Sequence, residues 1–228
     1  ISFCAMAGQT IGVIGGTGSG KSTLVNLIPR FYDAASGQVL VDGTDVKEYS
    51  LDELRDKTGV VPQKSVLFKG TLRDNMRWGK QDASDEEIYR ALDTAQAREF
   101  VDSKGEGLDL YIDQGGHNLS GGQRQRLTIA RALVRRPEIL IMDDSASALD
   151  FATDASLRKA IRENTGDMTV FIVSQRATTI KSADTILVLD EGRLAGMGTH
   201  KELLKDCQVY REICLSQLSK EEVERDEQ

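Results

Sequence analysis

Two short stretches carry residue types that could do chemistry together. The first is Gly15-Gly16-Thr17-Gly18-Ser19-Gly20-Lys21-Ser22-Thr23. Glycines at this density leave backbone N–H groups uncovered and permit positive φ, so the chain can wrap around a phosphate. Lys21 is placed to neutralise phosphoryl oxygens, and the Ser22 hydroxyl to bind Mg²⁺. The spacing is that of a phosphate-binding P-loop. The second stretch is Asp143-Asp144, directly after the apolar run Ile139-Leu140-Ile141-Met142. A metal held by a P-loop serine needs a carboxylate at the end of a second strand, and Asp143 meets that requirement.

These residues work only if the flanking elements position them. Thr10-Ile11-Gly12-Val13-Ile14 reads as a buried strand entering the loop, and Thr23 to Ile28 as a helix leaving it, stopped by Pro29. A strand–loop–helix unit points the helix N-terminus, with its bare N–H groups and positive dipole end, at the phosphates. A ligand-free glycine turn would require neither flank. Further strands are expected at Thr58–Val61, Thr169–Val173 and Thr185–Leu189. A hairpin turns at Asp42-Gly43 and another at Glu191-Gly192. Helices are expected over Leu51–Arg55, from Ser84 past Phe100, from Ser120 to about Val134, over Asp154–Glu163, and near Lys201–Lys205 and Val209–Leu218. Ser84-Asp85-Glu86-Glu87 and Ser120-Gly121-Gly122-Gln123 have the form of capping boxes. Strands alternating with helices predict an α/β fold: a P-loop NTPase core with a mostly parallel sheet, an antiparallel hairpin region and an inserted helical subdomain.

The chain has 228 residues, 39% hydrophobic and 29% charged, with a net charge of −7. That is the composition of an ordinary globule, and its acidity argues against a nucleic-acid partner. Three scattered cysteines fit a reducing cytosolic setting, and neither they nor the two histidines have zinc spacing. No apolar run approaches the roughly 20 residues of a membrane helix. Ile1-Ser2-Phe3 reads like the middle of a strand, so the chain is expected to be a piece of something longer. Residues 219–228 hold five acids and two bases and read as a frayed, solvated end.

Leu119-Ser120-Gly121-Gly122-Gln123 is identical to the signature of ABC-type ATPases. With the P-loop before it and Asp143 after it, the chain resembles the nucleotide-binding domain of an ABC transporter over nearly its whole length. Gln63 falls at that family's Q-loop, which would make it a catalytic and Mg²⁺-binding residue, and Ser147-Ala148-Leu149-Asp150 resembles the D-loop. Val66–Thr71 and Gln114-Gly115-Gly116 are similar to segments of exporters, the latter one that touches the membrane domain. The resemblance implies that Gly15, Thr17, Gly18, Ser19, Gly20, Lys21, Ser22 and Thr23 bind ATP. It implies that Ser22, Gln63 and Asp143 hold Mg²⁺, and that Ser120, Gly121, Gly122, Gln123 and Asp150 reach the nucleotide of a second such domain. It also implies a membrane-spanning domain of the same transporter and a place on the cytoplasmic face of the membrane. Residues 1–69 and 137–218 would form the ATP-binding core, 70–136 the helical subdomain and 219–228 a charged tail.

Two positions depart from the family pattern. Asp144 stands where the family carries the Glu that orients and deprotonates water, and Gln175 where it carries a switch His. Asp is one methylene shorter, and a misplacement of about 1 Å can cost on the order of 10²-fold in rate. Gln still hydrogen-bonds a phosphate but carries no titrating proton. Both changes in one site resemble the degenerate subunit of a heterodimeric exporter, whose partner would keep Glu and His. The alternative is a non-hydrolysing clamp subunit. A soluble ABC ATPase of the repair or translation type is disfavoured, because only about a hundred residues without heptads separate P-loop and signature.

Overall fold

The computed structural model describes residues 1–144 and 148–227. Its strands are β1 (Thr10–Gly15), β2 (Leu40–Val41), β3 (Thr44–Asp45), β4 (Thr58–Val61), β5 (Gly70–Thr71), β6 (Tyr111–Ile112), β7 (Ile139–Asp143), β8 (Thr169–Val173), β9 (Thr185–Asp190) and β10 (Arg193–Gly198). The helices of the first half are α1 (Lys21–Val25), α2 (Leu51–Lys57), α3 (Leu72–Arg77), α4 (Asp85–Thr94), α5 (Arg98–Ser103) and α6 (Gly121–Leu133). Those of the second half are α7 (Phe151–Asn164), α8 (Ala177–Ile180), α9 (His200–Asp206), α10 (Gln208–Gln217) and α11 (Lys220–Glu227).

The main sheet runs in the order β10-β9-β1-β8-β7-β4. All neighbours are parallel except the β9–β10 hairpin. The apolar strands face two cores, and successive residues alternate between them. Leu140, Met142, Val170, Ile172, Ile186 and Val188 join one core. Ile141, Phe171, Val173, Leu187 and Leu189 join the other, with Val25 of α1 and Leu54 of α2. Helices α3 to α6 pack largely on one another, and α6 also lies on β4.

Local sequence explains the boundaries. Reciprocal capping boxes open α2, α3, α4, α6 and α9. Asp42 (φ 52°) and Gly43 (φ 78°) both take the left-handed region, the type I′ turn the Asp-Gly pair implied. Trp78 is exposed and lies beside Phe68, ring centroids 4.9 Å apart.

Three expectations fail. The Ser84 helix does not run past Phe100: α4 ends at Thr94, Gln96 turns left-handed (φ 56°), and α5 starts afresh at Arg98. This turn lets Ala95, Ala97 and Phe100 all reach the core, which one straight helix would not. Ile1–Phe3 forms no strand, although Phe3 does pack on Phe171 at a centroid distance of 6.2 Å. The C-terminal end is not frayed. Ser219 and Glu222 exchange capping bonds, and Val223 is 1% exposed against the core. Its charges are spent on neighbours: Asp226 on Lys181 and His200, Glu227 on Arg211.

Candidate nucleotide-binding site

Parallel pairing brings the functional residues to one edge of the sheet. Val13 and Asp143 both lie level with Val173, so β1, β7 and β8 end together. The P-loop leaves β1 there, Asp144 follows β7, and Gln175 lies two residues beyond β8. Crevices at the carboxyl ends of parallel strands are where such sheets bind ligands.

The loop geometry fits a phosphate. Gly18 (φ 80°) and Gly20 (φ 94°) are left-handed, a conformation costly for any other residue. A Cβ on Gly15 would stand 2.1 Å from the Leu189 carbonyl oxygen, so only glycine fits. Lys21 is 8% exposed, and its Nζ donates to the carbonyl oxygens of Gly15 (2.9 Å) and Gly16 (2.7 Å). Burial pushes its pKa down, opposed by the carboxylates of Asp144 and Asp143. A cation held among carbonyls at a helix N-terminus, under a glycine cradle, suits a polyphosphate.

Ser22 Oγ donates to Asp143 Oδ1 at 2.9 Å, joining the two residues expected to hold Mg²⁺. Among the described residues no three His, Cys, Asp or Glu side chains converge on a metal position. The Ser22–Asp143 pair therefore fits a hard cation that takes its other oxygens from phosphate and water. Gln63 behaves differently from Ser22 and Asp143: its Nε2 donates to Asp144 Oδ2 at 3.3 Å. Asp144 is left-handed (φ 45°), anchored by its N–H to the Val173 carbonyl at 2.9 Å. Its pKa is raised, by burial first and by Asp143 as well, against the Gln63 bond and the charges of Lys21 and Arg176. Gln175 is exposed.

The second group of expected residues lies apart from the loop. Ser120 caps α6, accepting from Gln123 N at 3.2 Å, while Gln123 Oε1 accepts from Ser120 N at 3.0 Å. A Cβ on Gly121 would meet nothing nearer than 3.9 Å, so the first turn of α6 stands open. Asp150 caps α7 through Thr153, which holds its carboxyl below the ordinary range. Ser147 lies outside the described residues. No hydrogen bond among the described residues ties Ser120–Gln123 or Asp150 to the P-loop; α1 packs on β1 and β8, whereas α6 packs on β4, α3 and α4.

The sequence model of the ABC transporter family matches residues 1–147, well over half of the chain. The chain belongs to the ABC transporter family. An ABC transporter ATP-binding protein of Mycobacterium bovis is 49% identical over 95% of this chain and 38% of its own length. An ATP-dependent lipid A-core flippase of Haemophilus influenzae is 43% identical over 96% of this chain, again 38% of its own length. The structure of a bacterial Atm1-family ABC exporter with ATP bound superposes with a TM-score of 0.89 at 39% identity, covering 94% of this chain and 38% of that one. The chain thus spans well under half the length of the relatives it matches. Among the described residues no helix is long and apolar enough to cross a membrane.

Two residues of this ABC domain escaped the sequence reading. Gln125, 2% exposed on α6, accepts a hydrogen bond from Ser65 Oγ and so ties the Gln63 segment to the signature helix. A polar residue among the buried positions of an amphipathic helix was the available signal. Gly115 N also donates to Leu67 O at 3.0 Å, which joins the two exporter-like segments. Gln217 is the other; it bonds the backbone at Gln175, 42 residues away, and nothing local announces it.

Proposed function

We propose that this chain is the ATP-binding domain of an exporter. Residues 1–69 and 137–218 form its core and 70–136 its helical part. Two such domains close head to tail around two ATP-Mg²⁺ and move a membrane-spanning domain of the same transporter at the cytoplasmic face. The Ser22–Asp143 bond beneath the glycine cradle is the observation that carries this reading. Mg²⁺, when bound, neutralises charge on the β and γ phosphates. Lys21 and the N–H groups of Gly18–Thr23 hold the phosphate oxygens, and Ser22 and Asp143 orient the cation. Gln63 steers Asp144, which takes the proton of the attacking water, and Gln175 donates to the γ-phosphate. Ser120 and Asp150 are exposed and Gly121, Gly122 and Gln123 half-buried beside them, which supports their completing a partner's site rather than their own. Asp144, a methylene shorter than Glu and already leaning on Gln63, makes this chain's own site slow. The preferred partner is therefore a different subunit with Glu and His at these positions. The same two residues support the second reading, a clamp that binds ATP without turnover.

Steady-state ATPase of the protein beside its Asp144→Glu/Gln175→His variant, over a range of protein concentrations, tests the proposal. The variant should be at least about ten-fold faster, with a rate rising more than linearly in protein. Good turnover by the native chain, unimproved in the variant, would remove the slow-site reading. Native ATP binding without measurable hydrolysis, beside a fast variant, would favour the clamp.

A further inference from the structure

We propose that Gln217, at the end of α10, is a positioning residue that aims Gln175 at the terminal phosphate. The proposal rests on the reading of Gln175 as a γ-phosphate donor. Gln217 Nε2 donates to the Gln175 carbonyl at 2.7 Å, and its Oε1 accepts from Ala177 N at 2.9 Å. Only one of the two amide orientations pairs a donor with an acceptor at both ends, and the structure has that one. The two bonds straddle Arg176 and so fix two successive peptide planes, the first of them the carbonyl of Gln175 itself. Ala177 opens α8, whose N-cap Arg176 offers no side-chain cap, so Gln217 supplies from 40 residues away the acceptor that this helix start lacks.

The grip has two points. At the far end of the same segment Lys181 pairs with Asp226 of α11 at 3.5 Å. Helix α10 is itself held firmly. Tyr210 and Cys214 are fully buried, and the Tyr210 hydroxyl meets His200 Nδ1 at 2.7 Å. The amide of Gln217 is therefore presented from a rigid support, while the side chain of Gln175 projects into solvent at the sheet edge. Holding the backbone of a phosphate donor lowers the ordering cost when the phosphate arrives. A grip whose effect on the site passes through Gln175 should matter for a nucleotide with a γ-phosphate and not for one without.

The test is equilibrium binding of the β,γ-imido analogue of ATP and of ADP, both with Mg²⁺, to the full chain and its variants. Gln217→Ala should weaken the imido analogue about five-fold, the worth of one net hydrogen bond, and leave ADP unchanged within about two-fold. Gln217→Glu keeps the acceptor for Ala177 N but loses the donor to Gln175. It should shift the ratio of the two affinities in the same direction. The double variant Gln175→Ala/Gln217→Ala should bind the imido analogue no more weakly than Gln175→Ala alone, since the two residues act as one unit. Equal losses for both nucleotides would make Gln217 merely a structural cap and overturn the proposal, as would additive losses in the double variant. A native chain that binds ADP but shows no preference for the imido analogue would instead overturn the γ-phosphate reading of Gln175. A native chain that binds neither would overturn the nucleotide site itself.

Discussion

Asp144 combines three pressures in one side chain: a left-handed backbone, partial burial and a second carboxylate next to it. Burial first, and then the neighbouring Asp143 carboxylate, raise its pKa. A carboxyl whose folded pKa stands above its unfolded value binds its proton more tightly when folded. Its contribution is then full below the unfolded pKa and is lost as pH rises through the folded one. At neutral pH the ionised Asp144 therefore costs stability. Asp144→Asn, which keeps an acceptor for Gln63, should raise the thermal midpoint at pH 7, with the gain shrinking as pH falls toward ~4. A lower midpoint at pH 7 would show that attraction to Lys21 outweighs burial. The residue types at this site were readable because phosphate and Mg²⁺ chemistry restricts them so narrowly. The Gln63–Asp144 contact was not, since it spans 81 positions and depends on where two strands end.

At the level of elements, the chain states its starts more clearly than its stops. Ser or Thr followed three residues later by an acid or Gln marks helix after helix, because the box pairs two otherwise orphaned donors. The break at Gln96 carried no glycine or proline to announce it; tertiary packing of Ala97 and Phe100 decides it. The C-terminal helix was missed for a related reason. Its segment is almost wholly polar, and a single apolar residue, Val223, anchors it. Deleting residues 219–228 removes that anchor and the pairs of Asp226 with Lys181 and of Glu227 with Arg211. The loss should be about 2 kcal/mol, seen in calorimetry as a midpoint lower by roughly 4–8 °C. A solvated tail would leave the midpoint where it is.

On the scale of the whole molecule, one chain presents two helix starts preceded by or containing glycines in different places, α1 behind the cradle and α6 behind Ser120. Such an arrangement suits an assembly in which each copy supplies half of every site. Gly122→Asp tests it. A Cβ there would meet the Ala148 oxygen at 3.5 Å, an ordinary contact, and no positive φ is required at Gly122, so the fold should tolerate it. The new carboxylate would oppose a partner's phosphate. The variant should keep its thermal midpoint and its own ATP affinity, yet lose ATP-dependent self-association in sedimentation. Association unchanged from the native chain would put the signature helix outside the interface.

The chain holds a single tryptophan. Trp78 lies 68% exposed beside Phe68, which follows the Gln63 segment after a few residues. The molecule therefore carries its own optical reporter, free of background from any other indole. Emission in the unliganded chain should sit at the red, water-exposed limit. Any partner that covers this face should move it to the blue without a label being attached, and a titration with ATP-Mg²⁺ alone would show whether a change at the nucleotide reaches the Phe68 region.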